Sequence, residues 1–265
     1  MNARHNREKM TEIMFETFQV PGIFIGCSSV LALYGSGRTT GVVVESGHGV
    51  SHIYPIYDGF AINRGVVRLE YSGRTLTDYL LKLLAKRGHM YKTTAEREMV
   101  QEVKEQMCYV AKDYDDELNK AEKEGSGFVK QVEMTNGEIV SIGSEMFQCP
   151  ELLFHPELIG MEAMGIHEAV EHSIKNCEYD IRKELAKNIL ISGGTTLLPG
   201  FDERLRTEVE YLRPYWNPRV IALEERKYSV YMGASVLASL TTFPTLVATK
   251  QEYAEIGASI IHRKF

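Results

Sequence analysis

Leu190-Ile191-Ser192-Gly193-Gly194-Thr195-Thr196-Leu197-Leu198-Pro199-Gly200 is the stretch whose reading decides the fold. Asn188 to Ser192 has the length and apolar character of a buried strand. Two adjacent glycines end it, and Phe201, Leu205 and Val209 then open a helical period. Such a strand–glycine–helix passage leaves the backbone bare where a nucleotide could approach. The same residues also suit a tight strand-to-helix connection. Their spacing matches neither the dinucleotide fingerprint nor the Walker phosphate loop.

Outward from this point, strands and helices alternate in a mixed pattern. Met10, Ile13, Met14 and Phe18 recur at helical spacing until Pro21, and Gly22 to Ile25 is a candidate buried strand. Val30 to Tyr34 is helix-like and ends at Gly35 and Gly37. Thr40 to Val44, Val50 to Tyr57 and Phe60 to Leu69 form an expected antiparallel meander, turning at Ser46-Gly47-His48-Gly49 and Asp58-Gly59. Leu76, Tyr79, Leu80, Leu83 and Leu84 mark an amphipathic helix, and Thr93 to about Tyr114 a charged one. The acid-rich stretch Asp113 to Gly127 is expected to be a solvated loop or helix end. Asn136-Gly137 signals a hairpin between Val132–Met134 and Ile139–Ile142. Helical segments continue to about Ala186, and a small-residue-rich apolar helix covers Tyr228 to Leu240. The pattern predicts a layered α/β architecture.

Composition narrows the function. The net charge of −6 over 265 residues is too mild for binding through nucleic-acid phosphates. The four cysteines, Cys27, Cys108, Cys149 and Cys177, lack zinc-type spacing and read as buried or free thiols of a reducing compartment. The eight histidines show no metal-ligand spacing, and no nucleophile elbow is present. No apolar run reaches membrane-spanning length, and the polar start is no secretory signal, so a cytoplasmic or nuclear protein is expected.

Three further constellations are candidates. Glu45-Ser46-Gly47-His48-Gly49-Val50-Ser51 could cradle phosphates through glycine amides, with Glu45 placing a cation, or could be a plain β-turn. Lys104-Glu105 could flank a ribose, or belong to a solvated helix face. Leu158-Ile159-Gly160-Met161 could be an apolar partner contact, or a buried loop.

Taken together these stretches resemble the actin family. The resemblance runs from Asn6 to Phe265 and is carried by Asn6-Arg7-Glu8-Lys9-Met10, Ser36-Gly37-Arg38-Thr39-Thr40-Gly41 and Thr93-Thr94-Ala95-Glu96-Arg97-Glu98. Ser192-Gly193-Gly194-Thr195-Thr196, Glu225-Arg226-Lys227-Tyr228-Ser229-Val230, Lys250-Gln251-Glu252-Tyr253 and Ile261-His262-Arg263-Lys264 complete it. The resemblance implies an actin-like α/β fold, two ribonuclease-H-like domains about a cleft for ATP or ADP with Mg²⁺ or Ca²⁺. It implies an outer-domain remnant over 1–39, inner-domain parts over 40–72, 73–156 (with the inserted small subdomain) and 157–227, and an outer-domain C-terminal part over 228–265. The family's first phosphate loop would precede Met1, so the inner domain is expected to be complete and the outer one partial and poorly packed.

Residue by residue, the resemblance implies nucleotide contacts at Gly47, Gly49, Gly73, Lys104, Glu105, Gly193, Gly194 and Lys227. Gln101 stands in place of an Arg, and Leu197 and Leu198 in place of a Met and a Tyr. At the hydrolysis and cation positions Ser28 replaces a Gln, and Glu45 and His48 replace Asp residues, while His52 is kept. Hydrolysis is therefore expected to be impaired. Partner contacts with other actin-like subunits and actin-binding proteins are implied at Tyr34, Gly37, Thr39, Val236, Leu237, Leu240, Thr242 and Leu246, and at the plug-like Leu158, Ile159 and Met161. The implied function is a cytoskeletal, nucleotide-binding protein of filaments or partner assemblies. A non-hydrolysing scaffold subunit, a product of a misassigned start, and a sugar-kinase-like enzyme are the competing readings.

Overall fold

The computed structural model describes residues 2–265. Helix α1 (Arg4–Glu12) continues as a π-turn over Ile13–Thr17. The wider turn rotates the helix face. Phe15 is buried, its ring stacked 4.6 Å from that of Tyr253, while Met10, Ile13 and Phe18 face solvent. The apolar face read from the sequence is thus corrected by one residue. Strand β1 is only Gly22–Ile23, half-buried, and it pairs antiparallel with Ala248–Thr249 from the far end of the chain. The longer buried strand expected to Ile25 is not formed.

Helix α2 (Ser28–Gly35) leads into β2 (Gly41–Ser46), β3 (Ser51–Tyr57), β4 (Phe60–Ala61) and β5 (Val67–Leu69). This is the expected meander, with β4 and β5 pairing different parts of β3. Next come α3 (Gly73–Lys86) and α4 (Thr94–Met107), the second opened by a capping box between Thr93 and Glu96. The acid-rich stretch is a true helix, α5 (Tyr114–Glu124), not a loop. Asp113 caps it by accepting the Asp116 amide at 2.9 Å, and Asp115, Asp116 and Glu117 suit its positive end. It buries no residue fully, and only Tyr114, Leu118 and Ala121 form its half-buried apolar face.

The Asn136-Gly137 turn joins β6 (Lys130–Glu133) to β7 (Ile139–Ile142), with Gly137 at φ 82°. Helices α6 (Glu145–Glu151), α7 (Ile166–Lys175) and α8 (Arg182–Ala186) follow, then β8 (Ile189–Ser192), α9 (Phe201–Leu212) and β9 (Val220–Ala222). The chain closes with α10 (Ser229–Ala238), α11 (Phe243–Leu246), β10 (Ala248–Thr249), α12 (Lys250–Ile256) and α13 (Ile261–Lys264).

The main sheet has the order β4-β3-β2-β8-β9, with β5 beside β3. Strands β2 and β8 pair in parallel, Val42 to Glu45 against Ile189 to Ser192, and β8 pairs β9 likewise. A parallel pair covered on both faces reads as an unbroken apolar run, hence Val42-Val43-Val44 and Ile189-Leu190-Ile191. Alternate residues part to opposite faces. Val42, Val44, Ile53, Ile189 and Ile191 join the large core under α3, α6, α7 and α9. Val43, Tyr54, Ile56 and Leu190 pack with Ala32 and Leu33 of α2. Helix α10 lies directly on α2: a Cβ at Gly233 would stand 1.7 Å from the Leu31 carbonyl oxygen, so only glycine permits this crossing. No described helix is long and apolar enough to cross a membrane.

Candidate functional site

Strands β2 and β8 run side by side, and both end beside the same cleft, where open α/β sheets place ligands. Gly193, at φ 95° and ψ 157°, turns the chain off β8; its Cα lies so close to β2 that a Cβ would be 2.3 Å from the Ser46 carbonyl oxygen. The turn after β2 is stapled through one atom. The Gly47 carbonyl oxygen accepts the Gly73 amide at 3.1 Å, the Thr195 hydroxyl at 2.7 Å and the Ser72 hydroxyl. The Arg74 amide donates to the His48 carbonyl at 2.7 Å. The turn, the start of α3 and the β8–α9 connection are therefore one rigid unit. The Gly47, His48 and Gly49 amides meet no acceptor among the described residues, and a Cβ on Gly47, Gly49 or Gly194 would touch nothing within 4 Å. Bare glycines with free amides are the form of an anion cradle.

A cavity of about 460 Å³ opens there. Six of the eight expected nucleotide residues line it: Gly47, Gly73, Lys104, Glu105, Gly194 and Lys227. Gly193 is not in the wall but braces the two strand ends, and Gly49 stands on the turn outside the lining. His48, Gln101, Leu197 and Leu198 complete the wall together with Thr195. The bracing role of Thr195 goes beyond the sequence expectation, where a hydroxyl just after paired glycines is its only signal.

Lys104 is not on a solvated face. It is 5% exposed, and its Nζ donates to the Gly73 carbonyl at 3.0 Å and the Thr77 hydroxyl at 3.1 Å. Burial holds its pKa below the ordinary lysine value. Its neighbour Glu105 accepts from the Gln101 amide at 2.9 Å and stays at the rim. Lys227 is exposed, its Nζ 5.7 Å from the Tyr228 ring centre.

Ser28 and Glu45 are brought together, but His48 is not with them. Glu45 faces α2, where its Oε2 accepts the Ser28 hydroxyl at 2.8 Å and the Ser29 hydroxyl at 3.0 Å. His48 is on the cavity wall, whereas Ser28 and His52 line a different space. Burial lowers the His52 pKa. No three His, Cys, Asp or Glu side chains converge among the described residues.

The family model described as Actin matches residues 1–265. The chain belongs to the actin family. Its α/β fold is the actin-like one, and the cavity lies where the two inner-sheet strands of this actin-family chain end.

Of the expected partner residues, Tyr34, Leu237 and Leu246 line a second, mostly apolar cavity of about 800 Å³, walled also by Phe24 and Phe265. Val236 and Leu240 are exposed nearby on α10 and just after it. Gly37, Thr39 and Thr242 lie outside the lining. In the plug-like loop, Leu158 is 44% exposed, while Ile159 and Met161 are half-buried against the main core.

Proposed function

We propose that this actin-family chain binds an adenine nucleotide in the 460 Å³ cavity and works as a cytoskeletal subunit with little hydrolytic activity. The observation that carries the reading is convergence. Gly47, Gly73, Lys104, Glu105, Gly194 and Lys227 come from five separate segments, yet one cavity gathers them. Leu197 and Leu198 offer an apolar wall for a base, Glu105 and Lys104 suit ribose hydroxyls, and the free amides of the β2–β3 turn suit phosphate. A nucleotide therefore fits the residues present.

Impaired hydrolysis follows from Ser28 and Glu45. The Ser28 hydroxyl donates to Glu45 rather than standing free to orient a water, and the Glu45 carboxylate is held by two serines of α2. Attack on a phosphate needs the water placed to within a fraction of an ångström. The same pair favours the second reading, a non-hydrolysing scaffold subunit. The apolar cavity at Tyr34, Leu237 and Leu246, and Leu158 at the loop tip, are the proposed contacts with actin-like subunits and binding proteins.

Calorimetric titration of the purified chain with ATP tests the binding reading, and phosphate release tests the rest. Saturable binding with negligible release supports both. No saturable binding up to millimolar ATP removes the nucleotide reading, and release at the rate of a working actin removes the claim of impairment.

A further inference from the structure

His167 is a buried histidine without a partner. It is 8% exposed, and its Nδ1 meets no hydrogen-bonding group. A buried polar atom left unpaired in a well-packed region calls for an explanation. It is the second residue of α7, where the positive end of the helix dipole opposes an imidazolium. The Phe154 ring lies 5.8 Å away and the His155 ring 6.3 Å away. Arg204 of α9 packs over Phe154 at 5.0 Å, adding a second positive charge on that side. A Cβ built on Gly165 would stand 2.7 Å from the imidazole, so the loop backbone closes directly on the ring.

The facing carboxylates are already engaged. Glu168 of α7 accepts the Gly165 amide at 2.8 Å, and Glu208 of α9 accepts from Arg204 at 2.6 Å. Glu151 accepts from Arg204 and Glu157 from His155. Burial dominates and holds the His167 pKa below the usual histidine value, with His155 and Arg204 acting in the same direction against Glu208 and Glu168. Tyr71, kept neutral by burial, latches the other side of the loop by donating to the Met164 carbonyl at 2.5 Å.

We propose that His167 is an acid-operated release for the loop of residues 155–165. Its imidazolium finds water only if Gly165 and the loop lift from the core. Lifting would bring Ile159 and Met161 out beside Leu158, converting one exposed side chain into a continuous apolar contact. That the opened loop then engages another subunit or partner rests on the function proposed above; the opening itself does not.

Hydrogen exchange of the full chain at pH 7.5 and 5.5, corrected for intrinsic rates, reads the opening. Peptides covering 154–166 are expected to lose about tenfold protection at the lower pH, while β2 and β3 keep theirs. His167→Phe is expected to hold the loop closed at both pH values. Should that variant not fold, nuclear magnetic resonance of the wild-type chain serves instead: the His167 ring and the Met161 methyl are expected to titrate with one midpoint. Unchanged protection, or a Met161 midpoint that follows His155, overturns the proposal. Sedimentation at the same two pH values separates the readings: opening without association keeps the release and removes the contact role.

Discussion

Replacing Gly193 and Gly194 one at a time separates what holds the cleft together from what the cleft holds. Gly193 has φ 95° and ψ 157°, a region essentially reserved for glycine, and a side chain forced there costs about 1–3 kcal/mol. Its Cβ would also lie 2.3 Å from the Ser46 carbonyl oxygen, a backbone atom fixed in the β2 ladder. Overpacking of this kind adds about 1–3 kcal/mol. Gly193→Ala is therefore expected to lose about 2–6 kcal/mol, a large part of the total stability of an ordinary domain, about 5–15 kcal/mol. Gly194 differs: its φ is not positive, a Cβ there touches nothing within 4 Å, and it lines the cavity. Gly194→Ala is expected to leave stability unchanged or raise it by about 0.4–1 kcal/mol through the unfolded chain. Its methyl group would occupy ligand space and weaken nucleotide binding by about tenfold, equivalent to about 1.4 kcal/mol. Urea unfolding followed by the fluorescence of Trp216, the only tryptophan, gives the stabilities without ligand, since bound nucleotide would mask them. A Gly193→Ala midpoint within about 1 kcal/mol of wild type, or a Gly194→Ala loss larger than that of Gly193→Ala, would refute the reasoning.

Two further outcomes follow from buried charge. Arg204 bonds Glu151 at 2.9 and 3.2 Å and the Ala111 carbonyl at 2.8 Å, with both side chains almost fully enclosed. Glu151→Ala leaves the guanidinium with only Glu208 and the Ala111 carbonyl and should cost up to about 3–5 kcal/mol, whereas Glu151→Leu with Arg204→Met should recover most of it; urea unfolding decides, and equal losses would count against the pair. His52 and His167 both have folded pKa values lowered by burial, so the unfolded state binds more protons below about pH 6.5. Their contribution is fully present above that pH and declines as the pH falls toward the lowered folded values. Stability should drop between pH 7.5 and 5.5, and the drop should shrink in the His52→Gln, His167→Phe double variant; a variant with an unchanged slope would show that other groups govern the acid limb.

The parts of the fold that were legible in the sequence are those specified locally. Asn136-Gly137 marked its hairpin because the tight turn closed by Met134 and Glu138 sets Gly137 at φ 82°, where few other residues fit, and Val42-Val43-Val44 and Ile189-Leu190-Ile191 announced buried strands by running apolar without a break. What was missed has no local signature. The first helix buries Thr11 and Phe15, four residues apart, rather than Met10 and Ile13, because its inner face carries a polar residue that an apolar-periodicity argument does not count. Helix α5 buries nothing fully, and its Asp113 cap and the short apolar period Tyr114, Leu118, Ala121 are easily lost among eight charged or polar residues. The cleft shows the same limit more sharply. Lys104 sits on a helix rich in Glu, Lys and Arg and looks solvated until Gly73 and Thr77, from another helix, close over its ammonium. The Gly47 carbonyl joins residues 47, 72, 73 and 195, and each of them reads as an ordinary turn, cap or connection when taken alone. Family resemblance supplied the residues; only the fold shows that a single backbone oxygen holds their segments in register. A change of that turn would therefore be expected to disturb ligand binding and sheet ends together, because the amides of the cradle and the carbonyl of the brace belong to the same turn.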